Sequence, residues 1–122
     1  MRISHISDTH GSIPGIMNCD VIVHTGDMFP NSYFSTIKFT SKEIEFQIEW
    51  LEKNIKDFKE VIQNRDFLFV LGNHDFVDDK TVEAIFKKNK IKAKSLHEEI
   101  VTYKGYNFYG FPYIPEIGRA HV

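Results

Sequence analysis

The feature that most constrains this chain is an apolar run that stops abruptly at a polar tetrapeptide. Phe67–Leu71 is continuously apolar and is followed by Gly72–Asp75, which reads Gly-Asn-His-Asp. An uninterrupted apolar run of this length is typical of a strand that is covered on both faces, as in a parallel sheet. In α/β proteins, active sites lie beyond the carboxyl ends of such strands. Taken alone, the pattern fits equally well a strand followed by an ordinary polar turn.

Two further strand-like segments end in related residues. Arg2–Ser7 precedes Asp8-Thr9-His10, and Val21–Thr25 precedes Gly26-Asp27. Because the carboxyl ends of parallel strands meet at one edge of a sheet, we expect the three strand ends to converge. On extended backbone, the aspartate and histidine of an Asp-x-His segment point to the same face. Carboxylate, imidazole and amide groups are hard or borderline metal ligands, so the sequence predicts a metal site at this edge.

The longest segment between these strands predicts an amphipathic helix over Thr40–Asn64. Thr40 at the N-cap and Glu43 form a capping box at its start. Apolar residues then recur at spacings of three and four and form one stripe: Ile44, Ile48, Leu51, Ile55, Phe58 and Ile62. Such spacing also occurs in coiled coils, but a lone helix between two strands more often packs on its own sheet.

A second helix and a hairpin are predicted after the tetrapeptide. Asp78 or Asp79 can cap the helix, and Glu99–Tyr103 with Tyr106–Phe111 read as two strands joined by a tight turn. Phe29–Phe39 has no clear period and predicts a surface loop. The order strand, strand, helix, strand, helix, hairpin predicts an α/β fold with a mostly parallel sheet and outer helices.

Length and charge limit the classes of protein that this chain can represent. At 122 residues and 14.3 kDa it forms one domain at most. The net charge of −2 and the pI of about 6.3 argue against a general affinity for nucleic acids or anionic membranes. Cys19 is the only cysteine, and the chain lacks both a signal-peptide core and a run that could span a bilayer. We therefore expect a cytoplasmic protein with no membrane partner.

The three strand ends together resemble the opening motifs of the calcineurin-like metallophosphoesterase superfamily. That family carries Asp-x-His, then Gly-Asp, then Gly-Asn-His-Asp/Glu, and here these stand as Asp8-Thr9-His10, Gly26-Asp27 and Gly72–Asp75. The longer strings Ile-Ser-Asp-Thr-His, His-Thr-Gly-Asp and Tyr109–Pro112 look most like the branch of small metallophosphoesterase-domain-containing proteins. The resemblance implies the N-terminal half of a metallophosphoesterase α/β sandwich.

The same resemblance implies a hydrolase of phosphate mono- or diesters that uses two divalent ions, drawn from Mn²⁺, Fe, Zn²⁺ and Mg²⁺, to activate a hydroxide. Asp8 and His10 would bind the first ion, and Asp27 would bridge both. Asn73 would bind the second ion and contact the substrate phosphate. His74 would contact the phosphate and act as general acid toward the leaving oxygen. The family covers many phosphate esters, so the particular substrate stays open, as does the oligomeric state.

The later part of the chain departs from the family. The family's second-half histidines, including a Gly-His-x-His motif, have no counterpart here, and Pro30 stands where its protein phosphatases place a supporting aspartate. The tail Ile117–Val122 back-translates to a sequence like common adapter DNA. We therefore expect residues 1–116 to be an incomplete metallophosphoesterase domain and residues 117–122 to be non-native. A genuine split or truncated gene is the alternative. Either way, we expect a sparse second metal site and a nearly inactive isolated chain.

A non-catalytic interaction scaffold is the alternative function, because some members of the family keep the fold without the reaction. The complete set of motif residues in this chain argues against that role. Three other histidines are expected to be structural: His5 and His24 as packed or supporting side chains, and His97 as a residue away from the site.

Overall fold

The computed structural model of this chain describes residues 1–16, 18–31 and 40–111. These residues form six strands and two helices, in the order β1 (Ile3–Ile6), β2 (Val21–His24), α1 (Thr40–Ile62), β3 (Asp66–Phe69), α2 (Asp79–Lys88), β4 (Ala93–Ser95), β5 (Val101–Tyr103) and β6 (Tyr106–Phe108). The predicted non-native tail lies outside the described residues, as does most of the predicted surface loop.

Four of the strands form one parallel sheet in the order β1-β2-β3-β4. The register pairs Ile3 with Val21, and Val21 with Asp66. The three predicted strands therefore lie side by side in one sheet, and the predicted α/β fold is confirmed. The sequence did not predict β4, because Ala-Lys-Ser has neither an apolar run nor a β-branched residue. This strand forms because it pairs with β3, where Ala93 lies opposite Phe67, and not because of its own β propensity.

Both helices pack on one face of this sheet. From the stripe on α1, Leu51, Phe58 and Ile62 are buried in the main core. Helix α2 adds Val82 and Phe86 to the same core. The stripe thus packs on its own sheet, and each large apolar side chain buried there contributes about 1.5–3 kcal/mol. Neither helix of the described part of the chain is long and apolar enough to cross a membrane.

The helix starts agree with the predicted capping to different degrees. Asp78 is the N-cap of α2, and its Oδ2 accepts the Thr81 backbone N–H at 3.1 Å. Helix α1 begins at Thr40, which is therefore its first helical residue and not the cap. The predicted surface loop starts with a buried residue, since Phe29 lies fully inside the core. The prediction that the surface loop begins at Phe29 was therefore wrong, because Phe29 is a core residue.

The opposite face of the sheet is covered by the predicted hairpin, in which β5 and β6 pair antiparallel. A second, smaller apolar cluster lies between the hairpin and the sheet. Its buried members come from β2, β3 and the residues directly after β3 and β4: Val21, Leu68, Val70 and Leu96. Its partly buried members come mainly from the hairpin: Val23, Val101, Tyr103 and Phe108. The sheet therefore has helices on one side and a hairpin on the other.

Phe86 provides a test of this packing, since its ring centroid lies 5.4 Å from that of Phe58 and 5.5 Å from that of Phe67. We expect Phe86→Ala to lower the free energy of unfolding by about 3–5 kcal/mol, because truncating a buried aromatic leaves a cavity. Urea denaturation followed by circular dichroism measures the loss. Phe111→Ala is the matched control at a side chain that is 74% exposed, and we expect a change below about 0.5 kcal/mol. Equal losses in both variants would contradict the described core.

Candidate metal centre

The carboxyl ends of β1, β2 and β3 lie next to one another at one edge of the sheet. The register aligns their last residues, pairing Ile6 with His24 and His24 with Phe69. Just beyond these residues the chain reaches Asp8, Asp27 and the tetrapeptide Gly72–Asp75. The convergence that the sequence predicted for the three strand ends is therefore present.

Asp8, His10 and Asp27 form a cluster that could hold a metal ion. Each offers one ligand atom, and these atoms all lie within 4.8 Å of one another. All three residues have left-handed backbone, with φ of 53°, 44° and 54°. That conformation is strained for residues other than glycine and is concentrated at functional sites. The donor set of two carboxylates and an imidazole suits a divalent cation.

Backbone hydrogen bonds hold the loops that carry this cluster. The Asp8 N–H donates to the Gly26 carbonyl at 2.9 Å, and the His10 N–H donates to the Asp27 carbonyl at 3.0 Å. The Gly11 N–H continues the series to the Met28 carbonyl at 2.9 Å. These hydrogen bonds join the two loops and so bring the candidate ligand atoms close together.

The turn after β3 is attached to the same cluster through Asp27. The Asp27 Oδ1 accepts the His74 backbone N–H at 3.0 Å. A Cβ at Gly72 would lie 2.3 Å from that oxygen, so only glycine allows the approach. The rings of His74 and His10 meet edge to face, with centroids 5.8 Å apart. Asn73 and His74 are both exposed in this turn, and His74 contacts the cluster through Asp27 and His10.

Asp75 is a buried carboxylate that sequence reasoning left without a role. It accepts backbone N–H groups from Gly72 at 2.9 Å, from Phe29 at 2.9 Å and from Met28 at 3.2 Å. Burial raises the pKa of Asp75 above its usual range, while these three hydrogen bonds act in the opposite direction. Asp75 therefore joins the turn after β3 to the segment after Asp27. The signal available in the sequence was its place at the end of the tetrapeptide.

His24 is packed, as predicted, and its side chain is 1% exposed. The Gly26 N–H donates to His24 Nδ1 at 3.2 Å, so the ring proton lies on Nε2, which is 2.8 Å from Thr9 Oγ1. Burial lowers the pKa of His24 to about 4, against the opposite effect of the Asp8 charge. A neutral His24 thus supports Thr9, the central residue of the Asp-x-His segment. His5 is exposed, with Nε2 2.8 Å from Thr25 Oγ1.

His97 lies closer to this edge than predicted. Its Nε2 accepts the Leu71 backbone N–H at 3.1 Å, directly before Gly72. The expectation that His97 lies away from the site was therefore wrong. The reason is that no strand was predicted over Ala93–Ser95. Beta-strand β4 runs parallel to β3 and delivers His97 to the same edge. Burial lowers the pKa of His97, although the neighbouring Asp79 carboxylate acts in the opposite direction.

The fold and the cluster define an α/β protein with a candidate metal site, made of carboxylate and imidazole groups at the carboxyl ends of parallel strands. A family model described as calcineurin-like phosphoesterase matches residues 1–119, and the chain belongs to that family. The match confirms the superfamily that the three motifs resembled and does not distinguish its branches.

A curated relative shares part of this sequence. The chain is 26% identical over 122 residues to the probable rhamnogalacturonate lyase C of Emericella nidulans. The alignment covers 98% of this chain and 11% of that protein, so the chain spans about a ninth of the length of its relative. No solved structure matches the chain.

His24 makes the stability of the fold depend on pH. In the unfolded chain a histidine binds a proton below about pH 6.5, whereas folding holds the pKa of His24 at about 4. The unfolded state therefore binds more protons between these values. The contribution of His24 to stability is complete above about pH 6.5 and is lost as the pH falls toward about 4.

Urea denaturation at pH 7 and pH 5 measures this contribution in the wild type and in His24→Asn, whose amide oxygen can accept the Gly26 N–H without titrating. From pH 7 to pH 5 we expect the wild type to lose about 2 kcal/mol more than the variant. Groups that titrate in both proteins cancel in the comparison. The same pH dependence in both would contradict a buried neutral His24.

Proposed function

We propose that this chain carries the metal-binding strand ends of a phosphoesterase that hydrolyses phosphate mono- or diesters. The convergence of Asp8, His10 and Asp27, with their ligand atoms within 4.8 Å, is the observation that supports this most directly. Membership of the calcineurin-like phosphoesterase family supports the reaction class. The proposed substrate class is phosphate esters.

We assign Asp8 and His10 to a first divalent ion, Asp27 to a bridging position and Asn73 to a second ion. The bridging assignment is supported by the place of Asp27, whose carboxylate belongs to the cluster and also meets the turn after β3. Asn73 stands exposed in that turn. Mn²⁺, Fe, Zn²⁺ and Mg²⁺ are all compatible with a mixed oxygen and nitrogen donor set. Divalent ions held there would neutralise charge on the phosphate and activate a water molecule.

His74 is the residue to which we assign proton transfer and, with Asn73, contact with the phosphate. Its ring is exposed beside His10, while its backbone is held by the Asp27 carboxylate. An imidazole can donate a proton near neutral pH, which suits a general acid toward the leaving oxygen. Because His74 need not bind a metal in this role, its loss should affect turnover more than metal affinity.

Metal binding by the chain itself tests the ligand assignment. Calorimetric titration of the purified 122-residue chain with Mn²⁺ should show one site of modest affinity and a second that stays mostly empty. Asp27→Ala should weaken binding by more than roughly tenfold, since even outer partners of a metal site contribute that much. Asp57→Ala, at an exposed carboxylate on α1, is the control and should not change affinity. Two tight sites per chain, or equal effects of the two substitutions, would contradict the assignment.

Hydrolysis by the complete gene product that contains this chain tests the proposed reaction. Asp27→Ala should abolish manganese-dependent hydrolysis. His74→Ala should leave Mn²⁺ affinity largely intact and slow turnover by ~10²–10⁴-fold on esters with poor leaving groups, which need a proton. The loss should be smaller on nitrophenyl phosphodiesters, whose leaving group needs little protonation.

His5→Ala is the control for the histidine substitution, because His5 is exposed and bonded to Thr25 outside the cluster. It should leave turnover unchanged on both kinds of ester. A His74→Ala loss that is the same for good and poor leaving groups would rule out the general-acid role. Robust manganese-dependent hydrolysis by the 122-residue chain alone, abolished by Asp27→Ala, would overturn the expectation that it is incomplete.

A further inference from the structure

Gln47 is a buried polar side chain of α1, one turn after the buried Glu43 and one turn before the buried Leu51. Its side chain is 0% exposed. A buried amide that leaves its hydrogen-bonding groups unpaired is costly, so its partners show what the position serves. Those partners are backbone atoms of the segment after Asp27 and of the turn after β3. None of the motifs in the sequence includes this residue.

All three hydrogen bonds of Gln47 go to backbone. Its Oε1 accepts the Phe76 N–H at 2.8 Å, and its Nε2 donates to the His74 carbonyl at 2.9 Å and to the Pro30 carbonyl at 3.3 Å. The partners determine the orientation of the amide, because the oxygen faces a donor and the nitrogen faces two acceptors. Asn31 Nδ2 donates to the same His74 carbonyl at 3.0 Å.

The backbone of residue 74 is thereby held at both of its polar atoms. Its N–H donates to the Asp27 carboxylate, and its carbonyl accepts from Gln47. The positions of the backbone nitrogen and carbonyl determine the direction of the Cα–Cβ bond. Holding both therefore fixes the point from which the His74 imidazole extends, and its ring lies beside that of His10. Asp27 belongs to the candidate site itself, whereas Gln47 acts from a helix outside it.

We propose that Gln47 is a positioning residue that holds the His74 imidazole at the candidate metal site from helix α1, an inference that rests on the proposed function for its catalytic meaning. Small displacements of a catalytic group lower the rate strongly, since reacting atoms must be aligned before reaction. The loss of Gln47 should therefore act on His74 far more than on the ligands Asp8 and His10, whose loops are held by their own backbone hydrogen bonds.

The first experiment uses NMR of the 122-residue chain without metal. Gln47→Met keeps the length of the side chain but replaces the amide by an apolar end, which removes all three hydrogen bonds. We expect the Phe76 amide to exchange roughly fivefold faster or more, as for loss of one hydrogen bond, and the His74 ring resonances to shift. Leu51→Ala is the control, because it truncates an apolar core side chain of the same helix and removes no hydrogen bond to the turn. It should leave the His74 ring resonances in place.

Unchanged His74 ring resonances in Gln47→Met, or the same shift in Leu51→Ala, would overturn the proposal. Gln47→Asn is a second variant should the methionine variant fail to fold. It keeps a buried amide that is one methylene too short to reach the turn, and it should produce the same shift. A wild-type spectrum in a folded Gln47→Asn protein would equally overturn the role.

The second experiment measures kinetics in the complete gene product. Gln47→Met should lower kcat for esters with poor leaving groups more than for nitrophenyl esters, with little change in KM, while Leu51→Ala should lower neither selectively. An equal kcat loss for both kinds of ester would overturn positioning of the acid. If the wild type hydrolyses no phosphate ester, the proposed function fails, and the NMR result alone then decides whether Gln47 positions His74.

Discussion

The close approach of Asp27 to Gly72 is the contact on which the rest of the candidate site depends. A side chain at Gly72 would occupy the space of the Asp27 carboxylate and of its backbone nitrogen. With glycine there, the carboxylate can accept the His74 N–H while remaining part of the cluster with Asp8 and His10. One carboxylate thus joins strand ends that are far apart in the sequence. Without that approach, the turn after β3 would be a neighbour of the cluster and not a part of it.

Strain at the site is balanced by hydrogen bonds that lie beside it. Left-handed backbone at each of the three candidate ligands costs about 1–3 kcal/mol, and it persists only where the surrounding structure holds it in place. Here the surroundings are the joined loops after β1 and β2 and the buried carboxylate of Asp75, which accepts three backbone N–H groups. The core between the helices and the sheet includes Met28, Phe29 and Leu71, which lie next to the site in the chain and anchor its loops.

The sequence predicted the strand ends well and the contacts between them poorly, for a physical reason. Apolar runs and following polar residues are local signals, so β1, β2, β3 and the candidate ligands could be recognised. Asp75 and Gln47 act on segments distant in the chain, with separations of 46 residues from Asp75 to Phe29 and 27 from Gln47 to His74. No local pattern reports such partners. His97 was misplaced because β4 has too weak a propensity to be seen before its pairing is known.

The all-parallel register also determines when the cluster can exist. Each pairing in the sheet joins segments separated by a crossover, from Ile3 with Val21 to Val21 with Asp66. Chains rich in such non-local contacts fold slowly, because the entropy of loop closure is lost before the strand pairs can form and stabilise the chain. Asp8 and Asp27 meet only once β1 and β2 are in register, and His74 joins only after β3. An ion that bound this cluster would therefore select chains in which β1 and β2 are already paired, and its binding free energy would be added to the stability of those states alone.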